Sequence, residues 1–479
     1  MRDQSKMQAA LLNSFTNIVG ERYALHHKSD VEPFVTDMRG RYSAPSPLVL
    51  RPGTVEEISQ ILKLATETGT AIIPQGGNTG LVGGGLPLHD GDGNEVMLSL
   101  ARLNKILEVD TDSNTMTVEA GVVLENVQNA ADDADRLFPL SLGAQGTCQI
   151  GGNIGTNAGG TGVLAYGNTR DLIMGLEAVL PTGEIWNGLT RLRKDNTGFD
   201  LKNLFIGGEG TLGVVTKAVL KLFPKPRGRE VAYAALQSPE QALKLFNIAK
   251  SHAANSLTAF EFMASIAMEF TLKHAQNAVR RPVEGNHPWY VLLEVSSSRS
   301  TQDAREMLEA LLGEALESEV IEDAVLAESL EQLNTFWALR EDMSHAQKPE
   351  GASIKHDISV PVGTIPEFIK AADKAVLDIV PEARIVNFGH MGDGNLHYNI
   401  SQPVGWTAED YFAHESDVHE AVYEQVLAFN GSISAEHGIG QMKRDKLAKI
   451  KDPTALAMMR SIKNALDPAG IMNPGKIIS

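Results

Sequence analysis

Three glycine-rich segments in the first half of the chain constrain it more than any other feature. Pro74-Gln75-Gly76-Gly77-Asn78-Thr79-Gly80-Leu81-Val82-Gly83-Gly84-Gly85 holds six glycines and follows a short apolar run. Gln149-Ile150-Gly151-Gly152-Asn153-Ile154-Gly155-Thr156-Asn157-Ala158-Gly159-Gly160 is long and uncharged, and Phe205-Ile206-Gly207-Gly208-Glu209-Gly210-Thr211-Leu212-Gly213-Val214-Val215-Thr216 is the third. Glycine permits tight turns and positive φ and lets backbone N–H groups approach phosphate oxygens closely. It also loses more conformational entropy on ordering than ordinary loop residues do. The segments therefore read as glycine turns at strand ends, with Asn78 and Thr79 adding neutral donors. No Gly-Lys-Ser/Thr sequence closes any of them, so this is not a P-loop. The spacing also misses the fingerprint that opens a long dinucleotide-binding helix. Together they predict backbone wrapped around one extended, phosphate-bearing ligand, such as a dinucleotide cofactor.

The rest of the chain sets the frame. Its 479 residues suggest about three folding units. Lys+Arg total 42 against 60 Asp+Glu, a formal charge of −18, which repels nucleic acid and anionic lipid. The single cysteine, Cys148, excludes an intramolecular disulfide framework and any Cys-rich zinc or iron–sulfur site. The N-terminal apolar run around Leu11-Leu12 is too short for a signal peptide, and no stretch approaches the roughly 18 apolar residues of a membrane span. The expectation is a cytoplasmic protein without an integral membrane segment. Apolar periodicity predicts helices over 55–68, 122–133, 240–251, 303–311, 330–345, 365–379, 412–429 and 455–466. Strands are predicted over 71–74, 96–100, 115–120, 289–295, 354–360, 384–388 and 396–400. Phe223-Pro224-Lys225-Pro226-Arg227-Gly228 reads as a domain boundary. The fold class is α+β.

A second constellation carries chemistry. In Phe388-Gly389-His390-Met391-Gly392-Asp393-Gly394-Asn395-Leu396-His397-Tyr398-Asn399 two histidines stand seven residues apart. One straight strand would put them on opposite faces, but Gly392-Asp393-Gly394 is a turn that folds them back together. Beyond it Leu396, Tyr398 and Ile400 suit a core, while Asn395, His397 and Asn399 face a polar site. Glu436-His437-Gly438 adds a carboxylate and another imidazole. His390, His397 and Glu436 make an N,N,O set suited to zinc, with manganese an alternative. The competing reading has the histidines capping strands. Arg340 and Ser344 are four apart on a predicted helix and share a face. Lys355 falls on the polar face of the 354–360 strand. A guanidinium grips a carboxylate in two-pronged geometry, but Arg340 paired with Glu341 or Asp342, and Lys355 as a solvated edge lysine, are the ordinary alternatives.

In combination, the glycine segments resemble the flavin domain of the vanillyl-alcohol-oxidase/para-cresol-methylhydroxylase superfamily. The tail Ile471-Met472-Asn473-Pro474-Gly475-Lys476 resembles the segment that returns to that domain. The two histidine motifs resemble those of FAD-dependent D-2-hydroxy-acid dehydrogenases, especially the D-2-hydroxyglutarate enzymes and their D-lactate relatives. The resemblance covers essentially the whole chain. It implies a flavin-binding domain of two α/β subdomains at 1–225, an α+β substrate domain with an antiparallel sheet at 226–430, and a C-terminal segment at 431–479 that carries active-site residues. It implies noncovalent FAD, since residues 76–85 offer no histidine or cysteine for attachment. FAD contacts fall at Pro74, Gly76, Gly77, Asn78, Thr79 and Gly80, at Pro139 and Gly143, at Gly151, Gly152, Asn153, Gly155 and Thr156, and at Gly210, Val215 and Asn473. The metal ligands are His390, His397 and Glu436, and the catalytic base is His437. Arg340, Ser344, Lys355 and Asn399 bind substrate, with Ser344 where the hydroxyglutarate enzymes commonly have threonine. A small 2-hydroxy acid is the implied substrate, and an electron-transfer flavoprotein or a quinone the implied acceptor. A homodimer is compatible. The favoured substrates are D-2-hydroxyglutarate or D-malate, against D-lactate or glycolate. A flavin-free metal-dependent hydrolase and a noncatalytic anion- or nucleotide-binding protein are the readings from other classes.

Overall fold

Val55, Ile58, Ile61, Leu62 and Ala65 recur at helical spacing and form the buried stripe of helix α1 (Val55–Thr68). The Thr54 hydroxyl accepts from the Glu57 N–H at 3.1 Å, and the Glu57 carboxylate accepts from the Gly53 N–H at 2.6 Å. Gly69, at φ 67°, ends the helix. The stripe packs on Leu48, Leu50, Ile72, Val96 and Leu98. The computed structural model describes residues 2–275 and 279–478. They divide into two compact units, one of Met1–Ala158, Asn168–Pro224 and His437–Ser479, the other of Gly159–Gly167 and Lys225–Glu436. The short excursion at 159–167 and the attachment of 431–436 to the second unit are not marked in the sequence.

Among the described residues, the first unit holds two sheets of four or more strands. Strands β1 (Ala24–Leu25), β2 (Val49–Leu50), β3 (Ile72–Gln75) and β4 (Val96–Ser99) run in the order β1-β2-β4-β3, with β4 parallel to both β2 and β3. Strands β5 (Ile106–Asp110), β6 (Thr115–Glu119), β7 (Ile173–Val179), β8 (Ile185–Gly188) and β9 (Val214–Lys221) form an antiparallel sheet in the order β5-β6-β9-β7-β8. The second glycine segment is not a turn. Residues Ile150–Thr156 form a short helix, α2. Glycine is needed in it because a Cβ on Gly151 would lie 2.9 Å from the Ala120 Cβ and 3.1 Å from the Ala120 carbonyl oxygen. Close approach to the strand end outweighs helix propensity there.

The second unit is built on one antiparallel sheet. Its strands are β10 (Gly228–Leu236), β11 (Leu257–Ala264), β12 (Trp289–Ser297), β13 (Asp323–Leu326), β14 (Ser353–Ile354), β15 (Asp357–Ser359), β16 (Arg384–His390) and β17 (Asn395–Ser401). They run β13-β10-β12-β11-β16-β17-β14, and β15 also pairs with β17. The strand predicted over 354–360 is thus broken between β14 and β15. The helix predicted over 330–345 stops at Glu341, and residues Met343–Ala346 start a separate turn of helix. No described helix is long and apolar enough to cross a membrane.

Helix α3 (Ile365–Ile379) carries a titration with a consequence for stability. The Tyr398 hydroxyl, on β17, donates to the Asp373 carboxylate at 2.7 Å. Burial raises the Asp373 pKa to about 6, against the hydrogen bond, which lowers it. A carboxyl raised on folding favours the native state below its ordinary pKa, and that contribution is lost as pH rises through the folded value. Asp373→Asn keeps an acceptor for Tyr398 and removes the buried charge. It is expected to raise Tm by several degrees at pH 8, about 2–3 kcal/mol, and to change little near pH 4. Thermal melts of both proteins at the two pH values check this; an equal shift at both would contradict it.

Candidate functional site

In the first unit the glycine segments converge on the end of β3. A Cβ on Gly76 would lie 3.4 Å from the Gly152 nitrogen, one on Gly77 would lie 2.1 Å from the Thr147 carbonyl oxygen, and one on Gly210, at φ 71°, would press on Pro74 at 2.5 Å. The same construction on Gly80, Gly143 and Gly152 meets nothing within 4 Å, so the glycine walls open onto free space. Asn153 is buried in α2, and the Thr156 hydroxyl is turned back onto the Gly152 carbonyl at 3.2 Å. Val215 lies on β9. Pro139 lines a cleft of about 300 Å³ with Gln128, Arg136 and Ser141. The tail returns to this unit: the Asn473 side-chain amide donates to the carbonyls of Gly84 at 2.9 Å and Glu209 at 2.7 Å. Asn78 departs from expectation. Its side-chain amide donates to the Pro33 and Thr36 carbonyls at 3.1 and 2.9 Å, so it braces the loop instead of offering a donor.

The cradle fits a flavin dinucleotide. Gln149 Oε1 and Asn473 Oδ1 are buried acceptors without hydrogen-bond partners, an arrangement that costs free energy unless a ligand supplies donors. Cys148 is buried, and burial raises its thiol pKa, which opposes the thiolate that attachment to a cofactor would require.

In the second unit the turn works as its residues imply. Gly394, at φ 89°, closes the hairpin between β16 and β17. The register pairs His390 with Asn395 and Phe388 with His397, so the histidines are diagonal neighbours on one face. Their ring centroids are 5.5 Å apart. The Glu436 backbone N–H donates to the Asp357 carboxylate at 2.9 Å, and the Asn395 amide donates to the other oxygen of that carboxylate at 3.0 Å. Asp357, on β15, thereby aligns the Glu436 segment with the hairpin. One ligand atom from each of His390, His397 and Glu436 lies within 4.8 Å of the others, and His390 Nε2 is 3.6 Å from Glu436 Oε1. Zinc bonds of about 2.0–2.1 Å at tetrahedral angles separate donors by about 3.4 Å, so the set fits a divalent ion.

Glu261 was not legible as a site residue. It lies in β11, in the wholly buried run Leu257–Ala264, and a lone glutamate inside such a run was the available signal. One carboxylate oxygen accepts from His390 Nδ1 at 2.8 Å and the other from Arg340 Nε at 2.8 Å. In the neutral ring that places the proton on Nδ1 and turns Nε2 toward Glu436 Oε1, 3.6 Å away. Burial opposes a charged His390, but Glu261 and then Glu436 outweigh it and raise the imidazole pKa to about 9. Burial raises the Glu436 pKa to about 7, with Asp357 and Asp393 adding to it and His390 opposing.

Arg340 is buried and bound to Glu261, not paired at the surface with Glu341 or Asp342. Its guanidinium carbon stands 5.0 Å from the Phe388 ring centroid, and Nη2 is buried without a partner. Ser344 is exposed beyond the helix end, so the shared face with Arg340 does not form; its carbonyl accepts from Lys355 Nζ at 3.4 Å. Asn399 is buried on β17. His356, on the apolar side of the broken strand, donates from Nδ1 to the Tyr398 carbonyl at 2.9 Å and accepts at Nε2 from His419 at 2.8 Å. The division between units falls between Glu436 and His437.

Residues 46–188 match the FAD binding domain family and residues 225–477 the C-terminal domain of FAD linked oxidases. The chain is 40% identical over 474 residues to a mitochondrial D-2-hydroxyglutarate dehydrogenase of Arabidopsis thaliana, covering 99% of this chain and 82% of that one. It is 39% identical to a putative mitochondrial D-lactate dehydrogenase of Schizosaccharomyces pombe, covering 94% and 85%. A D-2-hydroxyglutarate dehydrogenase of Xanthomonas citri pv. viticola is 38% identical over 94% and 93%. The fold resembles that of p-cresol methylhydroxylase, with a TM-score of 0.78 at 15% identity over 98% and 96% of the two chains. The expectation of a cytoplasmic location is contradicted by the mitochondrial designation of the Arabidopsis, Schizosaccharomyces and Danio rerio relatives. The chain belongs to the FAD-dependent D-2-hydroxy-acid dehydrogenases, built on the FAD binding domain and the C-terminal domain of FAD linked oxidases.

Proposed function

We propose that this enzyme oxidises a D-2-hydroxy dicarboxylate, D-2-hydroxyglutarate or D-malate, to the 2-oxo acid, with noncovalent FAD and a divalent metal, zinc or manganese. The observation that carries the dicarboxylate reading is the buried, unpartnered Arg340 Nη2, on a guanidinium whose other arm is tied through Glu261 to His390. A buried cationic donor without an acceptor is costly, and a substrate carboxylate relieves that cost. His390, His397 and Glu436 hold the metal. When bound, the flavin accepts the hydride equivalent and the metal polarises the substrate hydroxyl. His437 accepts the hydroxyl proton. Arg340 and Lys355 supply charge to the carboxylates, and Asn399 and Ser344 supply neutral hydrogen bonds. An electron-transfer flavoprotein or a quinone takes the electrons onward.

The relative from Schizosaccharomyces pombe supports a second reading, in which D-lactate is the substrate. Initial rates with D-2-hydroxyglutarate, D-malate and D-lactate separate the two. A dicarboxylate is expected to give the higher kcat/KM, and the gap is expected to narrow in Lys355→Ala, which removes a half-buried cation whose Nζ donates to the Ser344 carbonyl. A higher kcat/KM for D-lactate in the unmodified enzyme would overturn the dicarboxylate assignment.

A further inference from the structure

We infer that Glu209 is a positioning residue for the reaction: its carboxylate clamps the loop that carries His437 to the flavin cradle. The inference rests on the assignment of His437 as the base. Glu209 belongs to the third glycine segment and is buried. One carboxylate oxygen accepts from the Ile439 N–H at 2.7 Å and the other from the Gly440 N–H at 2.8 Å. Those are the second and third backbone donors after His437. The backbone of Glu209 is equally committed. Its N–H donates to the Gly155 carbonyl in α2 at 2.8 Å, and its carbonyl accepts from the Asn473 amide at 2.7 Å. Glu209 holds this position at φ 47°, a conformation that non-glycine residues adopt at a cost unless their surroundings fix it. One residue therefore joins the second glycine segment, the tail and the His437 loop.

The glycines of the loop answer to close approaches on two sides. Gly438 has φ 81°, and a Cβ there would lie 2.7 Å from Glu209 Oε1. Gly440 has φ 54°, and a Cβ there would lie 2.2 Å from the Val82 carbonyl oxygen. At Gly438 the backbone passes this close to the carboxylate that the Ile439 and Gly440 N–H groups reach, and at Gly440 to Val82. A carboxylate accepts at both oxygens, whereas an amide accepts at one and presents N–H at the other. Glu209→Gln keeps shape and volume but sets donor against donor at one of the two contacts.

Small misplacements of a catalytic group cost about 10²-fold in rate. Glu209→Gln is therefore expected to slow anaerobic flavin reduction at saturating D-2-hydroxyglutarate by about 10–100-fold. KM, FAD content and metal content should stay within a few-fold of the unmodified enzyme. The decisive measurement is a double-mutant cycle with His437→Gln. If Glu209 acts through His437, adding Glu209→Gln to the His437→Gln enzyme costs almost nothing further. Gly438→Ala crowds the clamp from the other side and is expected to show the same dependence on an intact His437. Losses that multiply in the double variants would overturn the inference, as would a near-normal reduction rate in Glu209→Gln. Loss of FAD from Glu209→Gln would also overturn it, assigning the residue to the cradle instead. A near-normal rate in His437→Gln alone would instead defeat the assignment of the base, which is a separate result.

Discussion

His437→Gln is expected to slow reduction of the bound flavin by a D-2-hydroxy acid by about 10²–10⁴-fold, the usual loss when a general base is removed. Glutamine retains hydrogen-bonding atoms of similar reach but cannot accept a proton near neutral pH. His437 is bonded in sequence to Glu436, so a crude disruption of the loop would be expected to lower metal content as well. The two roles separate on structural grounds. Glu436 is held from its N-terminal side by the Asp357 carboxylate, and the loop after His437 is held by Glu209. A side-chain change at 437 leaves both anchors in place. Metal content measured beside anaerobic stopped-flow reduction is expected to stay near that of the unmodified enzyme. Near-normal reduction in the glutamine variant would exclude His437 as the essential base, and proportional loss of metal would reassign its effect to coordination.

The features legible in the sequence were those encoded over short distances. The apolar spacing of residues 55–68 marks α1 because one periodic face and its caps are all local. The hairpin was legible because Gly392-Asp393-Gly394 separates two runs whose alternation already sorts Leu396, Tyr398 and Ile400 from His397 and Asn399. Longer-range features were not. Glu261 stands 129 residues before His390, and no local pattern pairs a strand glutamate with a distant hairpin. Arg340 looked like a helix surface residue because its partner comes from that same distant strand. The helical form of Ile150–Thr156 ran against glycine's propensity and is explained only by the approach of Ala120. The break between β14 and β15 allows His356 to reach His419, a contact the simple alternation of 354–360 does not contain.

Removing the metal is expected to abolish turnover while leaving most of the flavin absorbance, because the three proposed ligands all belong to the second unit and the glycine cradle to the first. Glu261 makes this prediction sharper. With the native carboxylate, His390 donates from Nδ1, so Nε2 is the atom left for a metal once its own proton leaves. In Glu261→Gln the amide has one acceptor for two donors, Arg340 Nε and His390 Nδ1. A lost outer partner of a ligating histidine typically costs about 10–100-fold in metal affinity, so excess zinc or manganese should restore activity to the chelated variant at correspondingly higher concentration. The pH dependence has a definite sign. Without metal, burial holds a proton on Glu436 above the usual carboxylate range, and Glu261 with Glu436 holds one on His390 above the usual imidazole range. Coordination has to displace them, so apparent affinity should rise with pH until both groups have lost their protons, by about tenfold per unit for each proton released. Titrations of chelated enzyme at about pH 6.5 and about pH 8.5 measure the slope directly. Full activity in metal-free protein would remove the metal from the reaction, and an unchanged affinity in Glu261→Gln would show that His390 keeps its coordinating form without the glutamate.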